Sequence, residues 1–118
     1  MKLLIPMILL IQLSAALYTP TPEGNWNGTL DVQGTQLRIV FHVTKTDSLY
    51  HTTMDSPDQN VSGIPVTVTN FSYPNLKFEI PGIGMVYEGV LSDTLITGKW
   101  MQSGRTFPLV FHRLRSGM

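Results

Sequence analysis

Among the residues able to move a proton or hold a cation, the candidates are His42, His51 and His112 and, of the eight acidic residues, the pair Asp55 and Asp58. The histidines fall on different expected strands without close metal-ligand spacing, and alternation puts His42 and His112 on a polar face. They read as plain surface residues. Asp55 and Asp58 lie on a proline-bearing stretch that could aim two oxygens at a cation. A calcium ion takes about six to eight oxygen ligands, no further carboxylate stands beside this pair, and a turn-forming role is preferred. No Gly-x-Ser-x-Gly elbow occurs, so nucleophilic hydrolysis has no seat. The glycines stand singly within strands or at turns, which leaves no loop to cradle a phosphate. No catalytic residue, no metal ligand set and no cofactor is therefore expected. Asn27, Asn60 and Asn70 each open a glycosylation tripeptide, a pattern that arises readily by chance.

The elements around these residues are strands. Trp26-Asn-Gly28-Thr-Leu30, Tyr87-Glu-Gly89-Val-Leu91 and Ile96-Thr-Gly98-Lys-Trp100 each place a glycine two positions from a large apolar residue on either side, all on one strand face. Large-small-large on one face is the interior of a tightly curved sheet. Strands are expected over 24–33, 36–45, 48–55, 66–72, 75–80, 84–92, 94–102 and 106–113. Leu37, Ile39, Phe41 and Val43 face a core while Arg38, His42 and Thr44 face water. Leu76, Phe78 and Ile80, then Phe107, Leu109 and Phe111, repeat the split. In the fourth strand Val66 and Val68 compete with Thr67, Thr69 and Phe71, and parity is open.

Eight short strands joined by hairpin-length turns predict an all-β fold, an antiparallel up-and-down meander closing into a small barrel, with an open two-sheet sandwich as the alternative. Closure sets the first strand beside the last and gathers the three glycines into one sector of wall, with Trp26 near Trp100. Inward Trp26, Phe41, Tyr87, Trp100 and Phe111 predict a mostly filled interior. The long connection is Asp55 to Pro65, eleven residues whose prolines and glycine predict an ordered loop across one mouth. A ligand cavity, if present, would be lined by Tyr50, Met54, Tyr87 and Trp100, with Asp55, Asp58 and Gln59 on its rim.

Met1-Lys2, the apolar run Leu3 to Leu13 and the small residues Ser14-Ala15-Ala16 predict a signal peptide over 1–16, cleaved after Ala16. The run is short for a membrane span, so no stable anchor is expected after cleavage. Residues 17–23 read as a proline-containing linker, 24–113 as the barrel and 114–118 as a tail. Loss of Lys2 leaves seven basic against eight acidic residues, a net charge of about −1. Without a basic block, nucleic acid is a poor partner. The chain has no cysteine, excluding disulfides, thiol chemistry and lipid attachment through a cysteine. A secreted or periplasmic location follows.

Gly24-Asn-Trp26-Asn-Gly28-Thr-Leu30, Leu37-Arg-Ile-Val-Phe41-His-Val43, Thr53-Met54-Asp55-Ser56-Pro57-Asp58-Gln59 with Gly63-Ile64-Pro65-Val66, Leu76-Lys-Phe78-Glu79, Tyr87-Glu-Gly89-Val-Leu91, Ile96-Thr-Gly98-Lys-Trp100 and Phe107-Pro-Leu109 occur in order. Together they resemble the N-terminal β-domain of exported α/β-hydrolases of Bacteroidota. The Met-Asp-Ser-Pro-Asp-Gln segment with its following Gly-Ile-Pro is the most specific part; the aromatic-glycine pattern also suits lipocalin-like and avidin-like barrels. In such proteins the serine, acid and histidine of catalysis belong to a following domain, which this sequence, ending at Met118, does not contain. The resemblance thus implies a stand-alone, non-catalytic accessory module. Its expected role is binding of a small hydrophobic molecule or, alternatively, association with a separately encoded hydrolase.

Overall fold

Alternating apolar residues of matched length dictate a curved sheet here, and a computed structural model describes it over residues 19–114. The expected signal peptide, the start of the linker and the last four residues of the tail lie outside the described residues. The strands are β1 (Gly24–Val32), β2 (Thr35–Thr46), β3 (Leu49–Ser56), β4 (Val61–Val66), β5 (Val68–Ser72), β6 (Asn75–Ile80), β7 (Met85–Leu91), β8 (Leu95–Gln102) and β9 (Arg105–Leu114). They form one antiparallel sheet in the order β4-β3-β2-β1-β9-β8-β7-β6-β5, curled into a nearly closed barrel. The first strand pairs with the last through Asn25–Leu114, Trp26–Arg113 and Asn27–His112. A single continuous sheet replaces the two-sheet sandwich. Among the described residues no helix is long and apolar enough to cross a membrane.

Nine strands stand where eight were expected, because the fourth is longer than its hydrophobic pattern and is broken in the middle. β4 pairs with β3 and β5 with β6, and the single residue Thr67 separates them. One bent strand therefore joins the two ends of the sheet order and draws the barrel together. The bend also resolves the parity: Val66 is buried before it, and Phe71 packs against the core after it. Each competing set of residues is right for half the strand.

The segment expected as a loop from Asp55 to Pro65 is instead the end of β3, a 3-10 turn over Pro57–Gln59, and nearly all of β4. Gly63, at φ +68°, and Pro65, which has no N–H to donate, hid a strand that nonetheless pairs Pro65 with Thr53 and Ile64 with Met54. A second 3-10 turn, Pro81–Ile83, is built alike: proline starts each, and a residue in the left-handed region, Asn60 or Gly84, ends it by donating its N–H to the proline carbonyl at 3.0 Å.

Inside, Phe41 lies 4.4 Å from Phe78, 5.1 Å from Phe111 and 6.5 Å from Trp100, centroid to centroid. Fully burying one such side chain contributes about 1.5–3 kcal/mol, and a favourable ring pair adds ~0.5–1.5 kcal/mol. Gly89 faces Gly98 across β7 and β8, and a methyl on Gly98 would run into the Glu88 carbonyl, Gly89 Cα and the Tyr87 hydroxyl. The gap is filled by Tyr87, whose hydroxyl donates to the Leu109 carbonyl at 2.8 Å. Gly28 meets Val110 and Phe111 in the same way, so the sector runs through β7, β8, β9 and β1. Trp26 and Trp100 are both buried, with Phe41 opposite Trp26 in register and beside Trp100.

Candidate functional site

The two ends of the barrel are unlike because the inward rows of its strands finish differently. At the end where the chain enters β1, Pro22 is buried and its carbonyl accepts a bond from Trp26 Nε1 at 2.9 Å. Arg113 lies over the Trp26 ring at 4.3 Å and donates to the carbonyls of Thr21, Glu23 and Asp93. A guanidinium held by three carbonyls over an indole face is a rigid closure, stabilised by charge-assisted bonds and cation–π attraction. The described part of the expected linker is thus a plug. Tyr50 and Phe71 meet edge to face, 6.0 Å apart, with Lys45 over the Tyr50 ring.

The other end is open. Around it stand the β1–β2 turn, both 3-10 turns and the β8–β9 turn, and between them is a recess of about 830 Å3. That volume suits a small organic ligand, for which pockets run about 300–1,000 Å3. Its floor is Leu30, Ile39, Met54 and Trp100, all buried. Ile64 and Phe107 form partly buried walls, and Val61 and Ile83 reach the rim with 36% and 41% of their surface exposed. The recess opens where β4, bent away at Thr67, does not pair with β6.

Polar groups in the recess are sparse and mostly committed to one another. The Ser56 hydroxyl, on a buried residue, donates to Gln59 Oε1 at 2.7 Å. Trp100 Nε1 donates to Gln102 Oε1 at 3.0 Å, and Gln102 Nε2 donates to the Ile83 carbonyl at 2.9 Å. This chain ties the floor of the recess to the second 3-10 turn and holds the indole with its polar edge toward the rim. Arg105 is the only charged residue in the lining.

The conspicuous Asp-Ser-Pro-Asp-Gln segment has structural work for each side chain. Asp55, at an irregularity in the β3–β4 register, accepts the Gly63 N–H at 2.8 Å through Oδ1 and stands 2.8 Å from His42 Nε2 through Oδ2. Those bonds, the Gly63 amide foremost, hold its carboxyl below the ordinary value of 3.8. His42 Nδ1 stands 2.7 Å from Asn25 Oδ1, so both ring nitrogens are engaged. Asp58 accepts the Arg38 N–H at 2.8 Å and pairs with its guanidinium at 2.8 Å, and the Arg38 side chain and amide lower its pKa to about 2. These contacts fasten β4 and its turn to the outside of β1 and β2.

Of the residues singled out from the sequence, Met54, Gln59 and Trp100 meet at the recess. Tyr87 is sealed in the core, where burial raises its pKa, and Tyr50 packs with Phe71. Asp55 and Asp58 fasten the turn behind the rim. Arg105, Phe107 and Gln102 were not singled out, although the alternation that places Phe107, Leu109 and Phe111 inward, extended by one step, reaches Arg105.

The chain matches no protein-family model, no curated protein and no solved structure. Among the described residues no group of three or more histidine, aspartate or glutamate side chains is placed to hold a metal ion.

Proposed function

We propose that this chain is an exported, non-catalytic binding module that takes a small hydrophobic molecule in the open mouth of its barrel. The observation that carries the reading is the asymmetry of the two ends: one filled by Pro22, Trp26 and Arg113, the other a recess of about 830 Å3 with apolar floor and walls. Ligand sites of this kind are concave, mainly apolar and fitted with a few polar groups. Export is supported by the N-terminal residues, whose basic start, apolar run and small residues fit a signal peptide. The non-catalytic reading is supported by His42, with both nitrogens engaged, and by Ser56, whose hydroxyl donates to Gln59. Neither side chain is poised to attack a substrate.

Trp100 reports on the recess from its floor, and Trp26 on the plug. Titration with a panel of single-chain alcohols and acids is expected to change the fluorescence of Trp100, and to do so equally in a Trp26→Phe variant. Emission unchanged across the panel would contradict the proposal.

A further inference from the structure

The inward row of β9 runs Arg105, Phe107, Leu109, Phe111, Arg113, so a guanidinium stands at each end of an otherwise apolar row. At the plugged end Arg113 spends its donors on three carbonyls and its face on Trp26. Among the described residues the one arginine outside this row, Arg38, is paired with Asp58. The Arg105 guanidinium alone of those among the described residues makes no hydrogen bond or ion pair with them, and it stands on the rim of the recess. The lining contains no carboxylate.

The other polar groups there have the same bias. Gln59 uses its carbonyl on Ser56, leaving its amide N–H groups to offer, and Gln102 uses its carbonyl on Trp100. The Ile83 carbonyl is occupied by Gln102. Floor and walls thus want apolar surface, while the rim offers a positive charge and donors, including the Ser103 hydroxyl, with the Gln59, Gln102 and Ile83 carbonyls already engaged. A ligand that satisfies both is apolar for most of its length and ends in a planar, singly charged acceptor.

We propose that the mouth binds a fatty carboxylate, with its chain over Trp100, Met54 and Ile39 and its head group on the Arg105 guanidinium. This rests on the reading of the mouth as a ligand site. The fork suits carboxylate and phosphate alike, but a carboxylate is favoured over a phosphate monoester because its single negative charge is matched by the one guanidinium in the lining, whereas a monoester brings close to two.

Calorimetric titration of the purified protein at about pH 7 with decanoate, decanol and decyl phosphate, each below its aggregation limit, tests the assignment. A charge-assisted hydrogen bond is worth enough to predict decanoate binding about tenfold tighter than decanol. Arg105→Gln should abolish that preference, with most of the loss falling on decanoate; Arg105→Lys should retain only part of it, because the charge remains and the fork does not. Decanol binding as tightly as decanoate, a preference unchanged by Arg105→Gln, or tighter binding of decyl phosphate would each overturn the carboxylate assignment and leave the mouth standing. Failure of all three to bind would overturn the mouth as well.

Discussion

Tyr87 shows how residue-scale sterics decide what a position can do. An inward tyrosine beside two glycines looks like a cavity wall, but the missing side chains of Gly89 and Gly98 are what allow its ring and hydroxyl to reach the Leu109 carbonyl. Gly98→Ala is therefore expected to cost about 1–3 kcal/mol in urea unfolding, since the Glu88 carbonyl and Gly89 backbone cannot yield like a flexible side chain. Gly82→Ala, where an added methyl meets nothing within 4 Å, should be nearly neutral. The carboxylates give a pH dependence of definite sign. Asp58 has a folded pKa of about 2 against an ordinary 3.8, so its contribution is complete above pH 4 and is lost as pH falls toward 2. Asp55, lowered as well, adds in the same direction. Acid titration of wild type should loosen the β3–β4 turn within that window, and Asp58→Asn should remove much of the change.

At the scale of elements, the bent β4–β5 strand governs both closure and opening. Its first half follows β3 and its second half follows β6, so the sheet ends are joined while a gap is left beside β4. Most strands were legible because period-two alternation ran uninterrupted, as in Leu37 to Val43 and Phe107 to Phe111. β4 was not, because Gly63 and Pro65 are residues that usually end strands and Thr67 shifts the parity. The site was legible at its floor, where Met54 and Trp100 are apolar residues in alternating strands, and at Gln59 on its rim, whereas Arg105 lies one residue outside the expected strand 106–113. Gly63, at φ +68° and without neighbours for an added methyl, isolates the backbone term. Gly63→Ala is expected to cost ~1 kcal/mol in the same unfolding measurement, wholly from conformation.

At the scale of the molecule, a polar staple closes one end and a bent strand opens the other. Arg113→Gln is expected to release the plug, seen as faster amide hydrogen exchange over residues 19–24, without altering ligand affinity at the mouth. The binding proposed above belongs to the open end of the barrel alone. Amide chemical-shift mapping by NMR during titration with decanol tests it most directly. Shifts are expected to cluster at Ile83, Gln102, Ser103 and Ile64, with Trp26 and its neighbours unmoved. Shifts confined to the plugged end or the outer wall, or no shifts at all, would contradict it.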